Sequence, residues 1–406
     1  MQKNQLNPRF TSWLLGASVV AGAATFTACS DNAVEPAGQP VAQASNDAKA
    51  DQDLIAGQYI VVLKDEAVEV GADESYDSKV KKVKDVGQGL LKEKGSKPEK
   101  LGLAYGHVLK GFSAELTPSE VAELRKDARV AYVEQDQIVT LGKPATGGGV
   151  TAQAQTTPYG ITRVGSASGV GKTAWVIDTG IDLDHPDLTV DRTRSRSFVS
   201  GATSPDDGNG HGTHVAGTIA ARNNSVGVIG VAAGATVVAI RVLDARGSGS
   251  NSGVIAGVDY VGANGRAGEV ANMSLGGGAS QALDDAVLRA SNKGILFALA
   301  AGNSSVSATT SSPGRVNGTY VYTISAMNNT DTWASFSNYG NPPVDYCMPG
   351  VSIQSTWLNG GYNTISGTSM ATPHMAGVLL IRGRSFTTSG TVKSDPDGRP
   401  DPIAHL

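Results

Sequence analysis

The sequence predicts an α/β protein whose mostly parallel sheet is flanked by helices and preceded by a small α+β domain. The predicted strands at 170–177 and 295–303 contain continuous apolar runs, as strands buried on both faces of a parallel sheet do. An amphipathic helix is predicted at 282–292 and stops before Gly294, a residue suited to a helix C-terminus. The 406 residues suffice for one large core and one small domain.

Composition narrows the range of partners. The formal net charge is −4, aromatic residues make up 5% of the chain, and there are 51 glycines. A mildly acidic chain gives no indication of binding to nucleic acid or to an anionic membrane surface, so we expect neither. Many glycines with few aromatic residues are typical of a tightly turned globule, and we expect a monomer.

The first residues are typical of an export signal. Basic residues and then a short apolar run within 1–28 predict a signal peptide rather than a membrane span. Cys29 follows the run and resembles the lipidated residue of a bacterial lipoprotein processing site, while ordinary cleavage after Ala23 or Ala24 is the alternative. In either case the protein is exported, to the periplasm or the medium of a bacterium. Residues 29–53, rich in small and polar residues, are predicted to be a flexible tether.

Residues 54–141 are predicted to form the small domain. The order strand–helix–strand occurs twice, which is typical of a ferredoxin-like α+β fold. Thr117, Pro118 and Glu120 predict a capped start for the second helix. A linker of small residues follows at 142–155. Strands are predicted at 59–64, 104–109, 111–116, 130–134 and 137–141, and helices at 80–94 and 117–125.

Three short motifs carry the candidate chemistry. An apolar strand ends at Asp178 in the run AWVIDTGID, His211 lies in NGHGTHVAGT, and Ser369 lies in GTSMATPHMAG. Acyl transfer needs a hydroxyl, a base that takes its proton and a carboxylate that orients the base, and these motifs supply one of each. Ser369 is predicted at the start of a buried helix as a capping residue, where free backbone amides favour a developing negative charge.

In the order Asp, His, Ser, these motifs resemble those of the subtilisin-like serine proteases, the subtilases. The runs SGTSMATPH and SFSNYG, at 366–374 and 335–340, most resemble the proteinase K branch. The resemblance extends over residues 55–380 and implies a subtilisin-like three-layer fold, with 156–406 as the catalytic domain.

The resemblance also implies roles for individual residues. Ser369 is the nucleophile, His211 the general base and Asp178 the residue that orients it, and Asn303 supplies the oxyanion-hole amide. Asp182, Asp184 and Asp187 are rivals of Asp178 that we interpret as turn or surface carboxylates. His211 and His214 have a spacing that could suggest a metal pair, but no Glu lies between them and no thiolate cluster is available, so we interpret His214 as a structural histidine.

The segments 247–253 and 270–278 resemble the two edge strands with which subtilases pair their extended substrates. Neither 273–280 nor 297–304 contains an acidic residue, and a pocket selecting Lys or Arg would need one. We therefore expect broad specificity with an apolar or aromatic preference before the scissile bond. The expected substrate-binding residues are Gly247, Ser248, Gly249, Ser274, Leu275, Gly276, Ala300, Ala301 and Gly302.

The small domain resembles the subtilase propeptide, an intramolecular chaperone and inhibitor. A purely structural domain is the alternative, but its place directly before the protease favours a propeptide. Residues 157–164 resemble a mature subtilase N-terminus, so we expect autocleavage near Ala154 or Gln155.

No cofactor is expected for catalysis, but a structural calcium ion is. Thr319 and Val321, through their carbonyl oxygens, and Asp345, through its carboxylate, align with a calcium site of proteinase K-like enzymes, and oxygen ligands suit calcium. Cys347 is predicted to be a buried free thiol. After Ile381 the resemblance fades, and we expect a short closing strand and a tail.

The sequence thus predicts a secreted serine endopeptidase made as an autoprocessed zymogen, with protein substrates and its own propeptide as partners. A catalytically silent subtilase fold that only binds is one alternative, and it predicts a missing catalytic residue. None of the catalytic residues is missing from the sequence. A second alternative, an adhesive lipoprotein, depends on Cys29 alone.

Overall fold

A computed structural model describes residues 53–141 and 154–406. The predicted signal peptide, Cys29, nearly all of the tether and most of the 142–155 linker lie outside these described residues. Within the two described ranges, no helix is both long enough and apolar enough to cross a bilayer.

The small domain has the predicted order β–α–β–β–α–β, with an antiparallel sheet in the order β4-β1-β3-β2. Thr117 caps its second helix in a capping box with Glu120, as predicted. Its elements are β1 (Leu54–Leu63), α1 (Tyr76–Glu93), β2 (Leu101–Tyr105), β3 (Gly111–Glu115), α2 (Pro118–Leu124) and β4 (Val130–Thr140).

Two predicted strand boundaries in this domain were wrong. The strand expected at 104–109 ends at Tyr105, because the following backbone amides turn to a carboxylate of the catalytic domain. The strands expected at 130–134 and 137–141 are one strand, β4. It pairs first with β1 and then with a strand of the catalytic domain, so the chain between them does not turn.

The catalytic domain is built on an eight-stranded sheet whose pairings are all parallel. Seven strands follow the order β17-β16-β14-β12-β6-β10-β7, and β8 also pairs with β10. The strands of this sheet are β6 (Thr173–Asp178), β7 (Thr189–Val190), β8 (Arg196–Ser197), β10 (Thr236–Arg241), β12 (Val270–Met273), β14 (Leu296–Ala300), β16 (Val321–Met327) and β17 (Val344–Pro349).

Helices cover both faces of this sheet, which confirms the predicted three-layer α/β fold. Alternate residues of β6 face opposite sides of the sheet. Ala174 and Val176 belong to the buried hydrophobic cluster that includes residues of α4 and α7. Trp175 and Ile177 belong to the cluster that includes residues of α5 and α6. The helices are α3 (Tyr159–Val164), α4 (His211–Ala220), α5 (Asn251–Asn264), α6 (Gln281–Ser291) and α7 (Thr368–Arg382).

Short strands complete the domain outside the main sheet. They form small antiparallel pairs, one parallel pair, and the strand β11 that pairs with the small domain. These strands are β5 (Ala167–Ser168), β9 (Ala232–Ala233), β11 (Ser248–Ser250), β13 (Gly277–Gly278), β15 (Ser311–Ser312), β18 (Ile353–Thr356), β19 (Tyr362–Ile365), β20 (Thr387–Thr391) and β21 (Pro402–His405).

The C-terminal segment is a hairpin of β20 and β21 rather than a single closing strand. Its residues Val392 and Ile403 pack with Met327 and Cys347 in a small buried cluster, and Cys347 is the buried free thiol that the sequence predicts. The last amide, that of Leu406, donates to the carbonyl oxygen of Val164. The chain end therefore fastens α3 to the sheet.

Asp187 lies in a turn, as the sequence suggested, but it is not a surface carboxylate. Its side chain is fully buried and accepts hydrogen bonds from Asn224 Nδ2, Val228 N and Tyr362 Oη. Burial raises the pKa of this carboxyl, and the three donors oppose that rise. Asp187 thus holds the loop before β9. Because this loop is distant from Asp187 in the chain, no local sequence pattern could indicate the contact.

Candidate active site

Asp178 and His211 form a buried pair at the carboxyl edge of the sheet. Asp178 is the last residue of β6, and His211 is the first residue of α4. His211 Nδ1 lies 2.8 Å from Asp178 Oδ1 and 3.0 Å from Oδ2, and both side chains are almost inaccessible to solvent. Because a carboxylate can only accept, Nδ1 carries a proton and Nε2 is left free to act as a base.

Glycines allow the close approach of these two elements. Gly210 has φ +105°, in the left-handed region, and a Cβ there would lie 2.4 Å from the Trp357 ring. A Cβ at Gly212 would lie 2.1 Å from the carbonyl oxygen of Gly180. Side chains at either position would therefore push α4, and His211 with it, away from Asp178.

Ser369 lies inside the first turn of α7 rather than at its cap. Gly367 is the N-cap residue, so the expected capping role of Ser369 was wrong. Within the described residues, the amide of Ser369 makes no hydrogen bond. That leaves a donor at the helix N-terminus, where the backbone dipoles favour negative charge.

An interior proline of α7 is accommodated beside Ser369. Pro373 has no N–H, so the carbonyl oxygen of Ser369 loses its usual intrahelical donor. Ser274 Oγ replaces it, donating to Ser369 O at 2.8 Å, and Asn272 Nδ2 donates to Ser274 Oγ at 2.9 Å. Ser369 Oγ in turn donates to the carbonyl oxygen of Ser274 at 3.1 Å.

Asn303 faces the start of the same helix. Its Oδ1 accepts from the amide of Thr368 at 2.8 Å and from Thr368 Oγ1 at 2.9 Å. With the oxygen of the amide held on α7, Nδ2 is the end that remains available as a donor. Asn303 Nδ2 and the Ser369 amide are thus two neutral donors on one side of the nucleophile.

The structure brings Asp178, His211, Ser369 and Asn303 to the carboxyl edge of the sheet, as open α/β sheets do with their ligand sites. No hydrogen bond joins His211 Nε2 to Ser369 Oγ within the described residues, because that hydroxyl points to Ser274 O. Such contacts between a catalytic hydroxyl and its base often close only with substrate bound.

The last strand of the small domain occupies the expected substrate edges. In β4, Ile138, Val139 and Thr140 pair antiparallel with Ser250, Gly249 and Ser248 of β11. Leu141 N continues this edge by donating to Gly247 O at 3.0 Å, and on the other side Thr140 N donates to Gly276 O at 3.4 Å. Both edges are therefore filled by backbone hydrogen bonds of one extended strand.

Three carboxylates accept hydrogen bonds from backbone amides across the interface between the small domain and the catalytic domain, and no sequence motif pointed to any of them. Fully buried Asp259 of α5 accepts from the amides of Gly106, His107 and Val108 at 3.0, 2.8 and 2.6 Å. Burial raises the pKa of this carboxyl to about 6, against the effect of the three amides. Asp259 is the one charged residue in its helix sequence NSGVIAGVDYVGAN, a signal that could have been used.

The other two carboxylates come from β4. Glu134 accepts from Ser280 Oγ and, at 3.0 Å, from the amide of Gln281, the first residue of α6. Asp136 accepts from the amide of Ser252, in the first turn of α5, at 3.1 Å. Both place negative charge at a helix N-terminus, where it is favourable.

Asp345 is the residue best suited to the expected metal site. Its carboxylate accepts a single hydrogen bond within the described residues, from Thr323 N at 2.8 Å, and burial raises its pKa to about 6. Thr319 and Val321 precede Thr323 at the start of β16. Oxygen ligands suit calcium, but no group of three or more His, Cys, Asp or Glu capable of holding a metal occurs in the described ranges.

The histidine next to the catalytic motif is structural in its contacts. His214 is fully buried, and its Nε2 lies 2.9 Å from the carbonyl oxygen of Ile353. Burial lowers its pKa to about 3, so the ring is neutral. His214 therefore helps to pack α4 against β18.

Comparison with known proteins identifies the family. Residues 171–383 match the model of the subtilase family, and residues 58–142 match that of the peptidase inhibitor I9. The chain is 41% identical over 386 residues to the extracellular serine proteinase of Thermus sp. (strain Rt41A), a match that covers 93% of this chain and 90% of that protein.

The chain belongs to the subtilase family. Its catalytic domain is that of a subtilisin-like serine protease, preceded by an I9 domain. The resemblance on which the sequence analysis depended is thereby confirmed.

Other relatives agree with this assignment. The subtilase is 42% identical over 345 residues to the alkaline serine exoprotease A of Vibrio alginolyticus, covering 82% of this chain and 61% of that protein's length. It is 44% identical over 303 residues to subtilisin NAT of Bacillus subtilis subsp. natto, a match that covers 72% of this chain and 74% of that protein. A solved structure of a cold adapted subtilisin-like serine proteinase matches 61% of this chain and 97% of its own, at 41% identity and a TM-score of 0.55.

Proposed function

We propose that this subtilase is a secreted endopeptidase in which Ser369, His211 and Asp178 form the catalytic triad. The observation that carries the proposal is the buried contact of His211 Nδ1 with Asp178, which leaves Nε2 free to take a proton from Ser369. Ser369 Oγ bonds to the peptide carbonyl carbon while its proton passes to His211 Nε2 and then to the leaving amine. Water, deprotonated by the same nitrogen, then splits the acyl-enzyme and restores the hydroxyl.

In this proposal, two donors stabilise the negative charge that develops on the carbonyl oxygen. Asn303 Nδ2 and the Ser369 amide are placed for it by the Thr368 contacts and the start of α7. Donors that are already fixed cost no reorganisation during the reaction, which is why such sites contribute strongly to rate. Asp178 keeps His211 in one tautomer and stabilises the imidazolium.

Substrate binds, we propose, where β4 lies now. The edges formed by Gly247, Ser248 and Gly249 and by Ser274, Leu275 and Gly276 would pair with the substrate backbone, and Ala300, Ala301 and Gly302 would line the pocket before the scissile bond. Pairing through backbone groups is insensitive to side chains, which supports broad specificity.

The first prediction concerns this pocket. Because the segments around it carry no acidic residue, cleavage after Phe, Tyr or Leu should exceed cleavage after Lys or Arg by at least about tenfold in kcat/KM. The measurement is a panel of peptide anilides that differ only at that residue. Equal or better cleavage after Lys or Arg would show that an acidic side chain from another segment reaches the pocket.

The I9 domain is proposed to act as the inhibitor and folding template of a zymogen. Its last strand ends at Thr140, which lies opposite Gly276, and Leu141 is the last described residue of the domain. In an antiparallel register, two further steps from Gly276 reach Ser274, whose carbonyl oxygen receives the Ser369 hydroxyl. This register favours a first cut just after Leu141. The resemblance of residues 157–164 to a mature N-terminus favours a cut near Ala154 or Gln155. Both cuts occur if the first is followed by removal of the remaining linker residues.

The second prediction tests self-processing. Wild type should lose the propeptide, whereas Ser369→Ala should remain whole, because only the hydroxyl is removed from the site. Gel electrophoresis with N-terminal sequencing over a time course distinguishes an early cut behind Leu141 from a direct cut near Ala154. Ser366→Ala, three residues away, is the matched control and should process normally. Identical cleavage of the Ser369→Ala chain would assign maturation to another protease.

The third prediction concerns how the propeptide is held. Asp259→Ala leaves the three amides of 106–108 without their acceptor in a buried interface, so the cleaved propeptide should dissociate at least about 100-fold more readily. Arg289→Ala removes an exposed ion pair with Asp65 and should change dissociation less than about fivefold.

The measurement is the delay between propeptide cleavage, seen on a gel, and the onset of activity. Asp259→Ala should shorten this delay, and Arg289→Ala should leave it nearly unchanged. Equal delays in both variants would mean that the interface does not depend on the buried carboxylate.

We further propose a structural calcium ion at Asp345, with the carbonyl oxygens of Thr319 and Val321. Because the pKa of Asp345 is raised from 3.8 to about 6, this carboxyl contributes stability below about pH 4 that is lost as the pH rises through 6. Above pH 6 its buried negative charge is unfavourable, and a bound cation would offset that cost.

The fourth prediction follows from this sign. At pH 8, on the inactive Ser369→Ala chain, EDTA should lower the Tm by roughly 5 °C or more, and Asp345→Asn should abolish the EDTA effect. Without calcium, Asp345→Asn should be at least as stable as its parent. Asp184→Asn, at a mostly exposed carboxylate, is the control and should keep the full EDTA effect. A full EDTA effect in Asp345→Asn would move the ion elsewhere.

A further inference from the structure

The side chain of Asn338 is bonded to the loop that carries Asn303. It is 3% exposed and lies in the segment 335–340 that follows β16. Its Oδ1 accepts from the amides of Ser304 and Val306 at 2.9 and 3.2 Å, and its Nδ2 donates to the carbonyl oxygen of Ala301 at 2.9 Å. All three bonds thus go to backbone groups on the two sides of Asn303.

The backbone of Asn338 adds a fourth contact with the same loop. Its amide donates to the carbonyl oxygen of Gly302 at 2.9 Å. Gly302 has φ +106°, and a Cβ there would lie 2.4 Å from Asn338 Nδ2, so the glycine is required for this close approach. Next along the loop, Ser305 has φ 56° and its amide donates to Phe336 O.

Hydrogen bonds rather than packing hold this loop: besides those of Asn338, Gly302 N donates to Thr368 Oγ1, Ser305 Oγ donates to Ser335 O, and Val306 O accepts from Tyr339 N. Ser304, Ser305 and Val306 are exposed, so packing contributes little to their position. Asn303 itself is tied to α7 only through its side-chain oxygen, on Thr368. An oxyanion donor must nevertheless be held to within about 0.5 Å of its working position.

We propose that Asn338 is a positioning residue for the oxyanion hole: it fixes the backbone on both sides of Asn303, and thereby the direction of Asn303 Nδ2. Asn338 touches neither the substrate nor the nucleophile in this assignment. The inference rests on the proposed role of Asn303. It predicts an effect on the chemical step rather than on substrate binding, because the strand edges that pair with substrate remain intact.

The test compares kcat and KM of the mature enzyme on one peptide anilide. Asn303→Ala should lower kcat by about 10²–10³, a magnitude established on a subtilisin. Asn338→Ala should lower kcat by about tenfold or more and leave KM within about twofold. Asn338→Asp keeps the acceptor for Ser304 and Val306 but loses the donor to Ala301, so its kcat should be intermediate.

Two further variants separate positioning from general loss of stability. Combined with Asn303→Ala, the change Asn338→Ala should cost less than about threefold more in kcat, because its effect passes through that amide. Ser337→Ala removes a neighbouring buried hydroxyl that accepts from Ala326 N and donates to Asn338 O but makes no hydrogen bond to residues 301–306, so it should lower the Tm without lowering kcat.

Each result decides the matter. A raised KM at unchanged kcat, or the same fold loss of kcat with and without Asn303, would overturn the inference. If Asn338→Ala does not yield folded enzyme, Asn338→Asp and Asn338→Ser decide by the same criteria. An Asn303→Ala enzyme with unchanged kcat would instead contradict the proposed function, whereas loss of kcat in Asn303→Ala but not in Asn338→Ala would contradict the inference alone.

Discussion

The contact between Asp178 and His211 depends on the parallel pairing of β6 with β10 and β12. That pairing buries β6 on both faces and ends it at Asp178, at the edge where α4 begins. A carboxylate without solvent is unfavourable unless donors surround it, and here the Thr179 amide and the His211 ring supply them. The imidazole is thus the partner that makes burial of the carboxylate tolerable, and the carboxylate fixes the tautomer that catalysis needs.

Helix α7 joins the rest of the site to this pair. Its first turn carries Ser369, the proposed nucleophile, and holds Asn303, the proposed oxyanion donor, through Thr368, so one helix fixes the positions of both. Pro373 would normally weaken a helix by about 3 kcal/mol, but it lies where the freed carbonyl finds Ser274 Oγ. The hydrogen bond from Ser274 Oγ to Ser369 O links α7 to the end of β12. The proline in the helix thus leads to a direct contact between Ser369 and the proposed substrate edge.

The sequence alone predicted the layers of the fold, the catalytic residues as candidates and the buried Cys347, because continuous apolar runs and short motifs are local signals. It did not indicate that the turn residue Asp187 is buried, and it divided β4 into two strands. It also overlooked Asp259 and Asn338. In each case the deciding partner is distant in the chain: Asp259 meets amides about 150 residues earlier, and Asn338 bonds a loop more than 30 residues away. Periodicity cannot report such contacts, whereas a lone charge in an apolar helix can at least raise the question.

Strand β4 uses the same backbone hydrogen bonds that are proposed to bind substrate, so inhibition and substrate recognition share one set of contacts. The strand uses the amides and carbonyls of both edges, and Glu134 and Asp136 add negative charge at the N-termini of α5 and α6. A substrate peptide can reproduce the edge pairing but not these two carboxylates or the Asp259 contact, which are separate from the cleft. The I9 domain therefore has binding contacts that no ordinary substrate shares, and these account physically for a cleaved strand remaining bound as an inhibitor. Dissociation must then begin at those outer contacts, because the strand cannot leave the cleft while its domain is held on α5 and α6.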